Sequence, residues 1–187
     1  MIKLPQLAVL TFLSAGFASS VLLAPSPAIA TPGQPGHGHG DAAQLLGQPA
    51  PRGTGRAVRI EMTENAYNVP RVQVRAGETI RFIVVNRGQL LHEFSFAPAE
   101  VHAAHRPEMA MMMDHGMITP ERVISLTMTM PGGQRMDHTA PNSILVEPGK
   151  TGEISWRFTS AGTIEIACNL PGHYETGMVA PLVVTRR

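Results

Sequence analysis

The sequence contains a single cysteine, Cys168, among 187 residues. One cysteine excludes an internal disulfide, a Cys-x-x-Cys redox pair, a cysteine-rich zinc site and the Cys-x-x-Cys-His motif that attaches c-type haem. The sequence also has no excess of charge of either sign, since 15 Lys and Arg face 14 Asp and Glu and the formal net charge is +1. This balance argues against a general nucleic-acid binder, which needs a basic surface to neutralise phosphates.

Residues 1–30 contain one charged residue, Lys3, followed by an apolar stretch and the small-x-small sequence Ala28-Ile29-Ala30. This pattern predicts a cleaved signal peptide, with an uncleaved membrane anchor as the alternative. Residues 1–30 contain no twin arginine, so the general secretory route is favoured. We therefore expect a periplasmic protein that is not inserted in the membrane after cleavage. A lone cysteine in an oxidising compartment suggests that something occupies the thiol.

Residues 31–56 are rich in Gly and Pro, carry His37 and His39, and are predicted to form a flexible leader. The two histidines either bind metal or belong to a merely polar linker. From residue 57 onward, short alternating segments joined by Gly and Pro turns predict strands near residues 58–62, 72–74, 80–85, 144–146, 154–158, 164–168 and 182–184. This texture indicates an all-β fold, an antiparallel β-sandwich, over residues 57–187.

Residues 97–142 interrupt the strand pattern and are interpreted as an insertion, which holds eight of the eleven Met and four of the eight His. Pro107 and Gly116 predict a short helix over about residues 107–115. Methionines three and four positions apart would share a face of that helix. They either capture Cu(I) or pack on the sandwich as adaptable filler. The candidate auxiliary copper ligands are Met109, Met111, Met112, Met113, His115 and Met117.

The segment CNLPGHYETGM places Cys168, His173 and Met178 on one compact loop at a Cys-x4-His-x4-Met spacing. Thiolate and thioether suit Cu(I), and imidazole suits both oxidation states of copper. Two His, one Cys and a weak axial Met make an electron-transfer copper site, so a second His is needed. His92, which lies between two predicted strands, is the best candidate. Each residue alone has an ordinary packing explanation, but together they indicate copper.

The neighbours of Cys168 argue against other copper chemistry. Ala167 and Asn169 flank it where multicopper oxidases carry His, and a binuclear electron-transfer centre would need a second Cys. The site is therefore expected to bind copper and relay one electron, without acting as an enzyme. Asn86 and Asn169 either brace the ligand loops by hydrogen bonds or are ordinary turn residues. Four residues either form an apolar collar around His173 that a redox partner could approach or are ordinary packing at the end of the sandwich: Leu170, Pro171, Val179 and Pro181.

The stretch from Asn86 to His92, together with CNLPGHYETGM, resembles the cupredoxins, and the loop spacing is similar to that of rusticyanin-like members. With its HEF segment, Met/His-rich insertion and His-bearing leader, the sequence resembles the periplasmic copper-tolerance cupredoxins of bacteria. The resemblance covers residues 57–96 and 143–187, and covers the insertion only in composition. It implies a Greek-key β-sandwich with one type 1 copper on His92, Cys168, His173 and Met178.

Three functions stay open on this reading. The first is copper tolerance, in which the protein binds copper and relays single electrons. The second is diffusible electron transfer between respiratory partners, which rests on the four-ligand site alone. The third is a small Cu(I) oxidase, which ranks last because Met178 would occupy the axial position. Copper ions and a redox partner protein are the expected partners.

Overall fold

The computed structural model describes residue 41 and residues 43–187. The predicted signal peptide, residues 1–30, and both leader histidines, His37 and His39, lie outside the described residues. The described residues form twelve strands and one helix, in the order β1 (Gly47–Pro49), β2 (Arg56–Thr63), β3 (Ala66–Tyr67), β4 (Val72–Arg75), β5 (Thr79–Asn86), β6 (His92–Ala97), α1 (Ala99–Asp114), β7 (Thr127–Thr129), β8 (Arg135–Asp137), β9 (Ser143–Val146), β10 (Thr151–Phe158), β11 (Gly162–Ala167) and β12 (Val179–Thr185).

Two five-stranded sheets make up the sandwich, with strand orders β1-β10-β5-β2-β3 and β4-β12-β11-β6-β9, and β7 and β8 form a separate hairpin. The predicted all-β sandwich is therefore confirmed. Each sheet also contains one parallel pair, β2 with β5 and β12 with β4, beside its antiparallel pairs. Period-two alternation reports which face of a strand is buried and not the direction of its neighbour, so the sequence did not predict these parallel pairs.

An aromatic cluster joins the inner faces of the two sheets. Phe82 of β5 lies with its ring centroid 5.1 Å from that of Phe94 and 5.7 Å from that of Phe96, both on β6. The rings of Phe96 and Trp156 are 5.1 Å apart. All six residues of β6 are buried, so this strand is held by packing along its whole length. Because His92 is the first residue of β6, the aromatic core also determines where the His92 backbone lies.

Helix α1 spans Ala99–Asp114, so the prediction of a short helix over about 107–115 is wrong at its N-terminal end. Pro98 is the N-cap residue and Pro107 lies inside the helix. A proline in that position removes one backbone hydrogen bond, but the helix buries a face of Val101, His102, His105, Met109 and Met112, and this packing outweighs the local penalty. Within residues 43–187, no helix has the length and apolar composition needed to cross a bilayer.

The flexible leader was predicted to extend over residues 31–56, but its last part belongs to the folded domain. β1 pairs with β10, and Leu45 is only 3% exposed in the core. Position 47 requires glycine, because a Cβ atom there would clash with the Arg157 carbonyl oxygen of the paired strand β10. Short Gly- and Pro-rich segments carry little periodicity, so a strand of three residues gave no sequence signal.

We expect Leu45→Ala to lower the free energy of unfolding by about 2–5 kcal/mol, because it leaves a cavity in the core. The matched control is Gln48→Ala, at an exposed position of β1, which should change stability by no more than about 0.5 kcal/mol. Chemical denaturation of both variants makes the comparison. Equal stabilities would show that residues 43–49 are not part of the folded domain.

Candidate metal centre

Three of the four predicted ligands meet at one end of the second sheet. His92 begins β6, Cys168 follows the last residue of β11, and His173 lies on the loop between β11 and β12. One ligand atom from each residue lies within 4.8 Å of the other two. The Cys168 Sγ atom is 3.3 Å from His173 Nδ1, and the rings of His92 and His173 are 5.1 Å apart between centroids.

The loop from Cys168 to Met178 is closed by the register of the strands that flank it. Ala167 of β11 pairs with Val179 of β12, which brings the next residues together. The Cys168 N–H donates to the Met178 carbonyl oxygen at 3.2 Å, and the Met178 N–H donates to the His173 carbonyl oxygen at 3.0 Å. Met178 is fully buried at the base of the loop. Strand pairing thus places the thioether-bearing residue beside the thiol-bearing one.

His92 carries an unusual polar arrangement for a buried residue. It is fully buried, and neither ring nitrogen has a hydrogen-bond partner among residue 41 and residues 43–187. A buried polar group without a partner costs free energy. A metal ion bound to the imidazole would remove that cost. Together with the Cys168 thiol, the His173 imidazole and the nearby Met178, this donor set fits copper.

Burial favours the metal-binding form of the two imidazoles but not that of the thiol. Burial, with the neighbouring charge of His173, lowers the pKa of His92 to about 4. Burial also lowers the pKa of His173, so both imidazoles are neutral at neutral pH. Burial and the nearby charge of Glu93 raise the pKa of the Cys168 thiol to about 12. The thiol must therefore lose its proton when a metal binds.

Asn86 lies buried at the end of β5 and organises the turn that leads to His92. Its Nδ2 atom donates to the carbonyl oxygens of Leu90, at 2.7 Å, and Val146, at 2.8 Å. Its Oδ1 atom accepts the Gly88 N–H at 2.9 Å. The side chain therefore closes the turn and ties it to β9, the strand paired with the start of β6.

Asn169, the second predicted bracing residue, contacts a buried carboxylate that the sequence reasoning missed. Its backbone N–H and its Nδ2 atom both donate to Glu93 Oε2, at 3.0 and 2.7 Å. The Glu93 backbone N–H in turn donates to Cys168 Sγ at 3.2 Å. Glu93 therefore bridges the segment after His92 and the segment after Cys168. The sequence signal for this carboxylate was a charged residue, Glu93, inside the strand HEFSFA.

The other oxygen of Glu93 is also occupied. Oε1 accepts the Ser143 hydroxyl at 2.5 Å and lies 3.0 Å from His105 Nε2. Burial alone would raise the pKa of Glu93. The charge of His105 and the hydrogen bonds from His105, Ser143 and Asn169 outweigh burial and lower this pKa. Glu93 is therefore a carboxylate with four donors around it, although it is 1% exposed.

The candidate auxiliary ligands on the insertion do not share one environment. Met109, Met112 and Met117 are buried in the hydrophobic core, and Met111 and Met113 are partly buried against it. His115 is exposed, and its Nδ1 atom lies 2.8 Å from the Met111 carbonyl oxygen. The helix face predicted to gather thioethers is thus largely the face that packs on the sandwich.

The surface beside His173 is partly apolar. His173 is half-buried, Leu170 is buried, and Pro171, Val179 and Pro181 are exposed. Val179 is one of two large hydrophobic residues with substantial exposure in the described part of the chain. Three of the four residues named for the collar are therefore exposed, and their arrangement around His173 stays a prediction.

Two curated proteins resemble this chain along most of their length. The copper-resistant cuproprotein CopI of Pseudomonas aeruginosa is 41% identical over 159 residues, which cover 80% of this chain and 85% of that protein. CopI of Rubrivivax gelatinosus is 34% identical over 160 residues, covering 80% and 84%. No protein-family model matches the sequence.

Among solved structures, auracyanin B is similar, with a TM-score of 0.54 and 21% identity over 74% of this chain and 96% of that chain. At this identity the likeness concerns the fold alone. It confirms the cupredoxin fold that the sequence resemblance implied.

Because the Cys168 proton competes with copper, we expect the affinity for Cu(I) to rise with pH, by about tenfold per pH unit. This slope holds above the range in which the imidazoles titrate and below the Cys168 pKa of about 12. Competition titrations with a Cu(I) chelator at pH 7, 8 and 9 measure it. Cys168→Ala should bind more weakly and lose the slope. An affinity independent of pH in the unmodified protein would contradict the assignment of Cys168 as a ligand.

Proposed function

This chain belongs to the CopI family of copper-resistant cuproproteins, and on that premise we propose that it is an exported periplasmic protein that binds copper at His92, Cys168, His173 and Met178 and serves in copper tolerance. The observation that carries the proposal is the buried imidazole of His92, which has no hydrogen-bond partner among the described residues and lies beside a thiol and a second imidazole. Such a donor set binds copper in preference to hard cations.

Each residue has a distinct part in this proposal. His92 and His173 would supply neutral imidazoles, Cys168 would supply a thiolate once its proton is displaced, and Met178 would supply a thioether. Bound copper would supply one-electron redox chemistry. The buried strand β6 and the closed loop hold these side chains in place, so little rearrangement accompanies a change of charge at the site.

The proposal also includes the relay of single electrons. His173 is half-buried, whereas His92, Cys168 and Met178 are fully buried. An electron would therefore enter or leave on the side of His173, where exposed Pro171 and Val179 offer an apolar surface to a redox partner. This surface supports the second candidate function, a diffusible electron carrier. The small Cu(I) oxidase ranks below both, because buried Met178 does not leave an open position for turnover.

The insertion is the part of the chain that electron transfer does not require, and we propose that it binds additional Cu(I). Met109, Met112 and Met117 are committed to the core. Met111 of α1 and His115, the C-cap residue of the helix, are more accessible. They are four positions apart, the spacing at which side chains meet on a helix surface. A thioether and an imidazole at that spacing provide two ligands for Cu(I).

We expect a deletion strain to be copper-sensitive and to be rescued by the unmodified gene. Failure of Cys168→Ala to rescue would assign the protection to the cupredoxin site. Rescue by Cys168→Ala would shift it to the Met and His residues of the insertion. Growth across a copper series is the measurement. Unchanged growth of the deletion strain would contradict copper tolerance and favour the electron carrier.

The purified protein with Cu(II) should show an intense visible thiolate-to-copper band that disappears in Cys168→Ala.

With excess Cu(I), the number of copper ions bound per chain should exceed one. The double variant Met111→Leu/His115→Gln should bind less Cu(I) while keeping the visible band, because it leaves the four-ligand site intact. A stoichiometry of one copper in the unmodified protein would contradict the additional site without affecting the main one.

A further inference from the structure

A buried row of acidic and imidazole side chains runs from the copper site into α1. His105 Nε2 lies 3.0 Å from Glu93 Oε1, and His105 Nδ1 lies 3.1 Å from Glu108 Oε2. The other oxygen of Glu108 lies 2.5 Å from His138 Nδ1. The side chains of Glu93, His105 and His138 are at most 4% exposed, and that of Glu108 is 11% exposed. The row thus joins β6, α1 and the segment after β8.

Stability alone does not account for this row. Burying charged groups carries a desolvation cost that a well-packed apolar contact of similar volume avoids. Burial by itself would lower the pKa of His105, but the charges and hydrogen bonds of Glu93 and Glu108 raise it well above its ordinary value. Each ring nitrogen of His105 thus contacts a carboxylate, and removing His105 would leave Ser143 as the one side-chain donor to Glu93 Oε1 among the described residues.

The row ends on Glu93, next to the segments that carry the proposed copper ligands. A contact that only held the insertion to the sandwich could lie anywhere on the sheet surface. This one ends on Glu93, whose Oε2 atom holds the backbone and side chain of Asn169 and whose backbone N–H donates to Cys168 Sγ. Asn169 follows Cys168 directly, and Glu93 follows His92 directly. The row therefore contacts both segments that carry the buried ligands.

A second contact shows that α1 lies against the loop from Cys168 to Met178. The Arg106 guanidinium stacks 4.4 Å from the Tyr174 ring centroid and pairs with Glu175 at 3.2 Å. The side chains of Arg106 and Glu175 are 29% and 57% exposed, and such pairs contribute little. The buried His105–Glu93 pair is thus the stronger connection between the helix and the loop.

We propose that His105 is a positioning residue for the copper site, which acts through Glu93 on the hydrogen bonds of Asn169 and Cys168. The proposal rests on the copper site described under Proposed function. Hydrogen bonds around the Cys sulfur tune the properties of such centres, and partners outside the ligand shell commonly change metal affinity by about 10–100-fold. The electronic character of the copper therefore depends on how α1 is docked.

The test compares His105→Leu with Val101→Ala in the copper-loaded protein. Both changes loosen the buried face of α1, but only the first removes the partner of Glu93. We expect His105→Leu to shift the thiolate-to-copper charge-transfer bands and to weaken copper binding by about tenfold. Val101→Ala should lower thermal stability and leave the bands unchanged. Unchanged bands in His105→Leu, or the same shift in both variants, would overturn the proposal.

A double-variant cycle tests whether His105 acts through Glu93. In the Glu93→Gln background, His105→Leu should cause a much smaller band shift than in the unmodified protein, because the two residues act as one unit. Additive shifts would contradict the proposed path. His105→Ala, which also removes the contact with Glu93, replaces His105→Leu in the cycle if the leucine variant does not fold.

The same measurements separate this proposal from the one on which it rests. If the unmodified protein shows no thiolate-to-copper band, the proposed assignment of the copper site is wrong. If the band is present and His105 variants do not alter it, only the positioning role is wrong.

Discussion

One buried carboxylate connects the parts of this protein that the chain keeps far apart. Glu93 accepts hydrogen bonds from Asn169, which is 76 residues away, and from Ser143, which is 50 residues away. The same carboxylate also contacts His105 on α1. A buried carboxylate is tolerated only when its oxygens are satisfied, so β6, β9, α1 and the loop from Cys168 to Met178 must all be in place for Glu93 to be accommodated. The segments that carry the proposed ligands are consequently ordered by the same contacts that order the fold.

The site also depends on an apolar scaffold that supplies no ligands. Phe82, Phe94 and Phe96 pack between the sheets, and this packing keeps β6 buried along its length. A buried His92 whose ring nitrogens have no hydrogen-bond partner among the described residues carries a free-energy cost. The aromatic core offsets this cost, and the result is a set of soft and imidazole donors held close together before any metal binds.

The methionines illustrate why composition is an incomplete guide to function. Met109 and Met112 fill the core as any flexible apolar side chain could, whereas Met111, between them in sequence, faces a more accessible side. A thioether that is covered by the sheets contributes packing, and a thioether that solvent can reach is available to Cu(I). The helix surface, and not the number of methionines, divides the two roles.

Much of this protein follows from its sequence alone. Alternating segments such as Ile154–Phe158 have one apolar face to bury, so they determine strands and a sandwich, and the Cys-x4-His-x4-Met spacing determines the donor set because a short loop keeps its residues together. Tertiary structure decided the parallel strand pairs, the strand at Gly47–Pro49, the start of α1 and the pairing of Glu93 with His105. These features depend on contacts between distant segments, and a local pattern cannot report which buried charge will meet which partner once the sheets have packed.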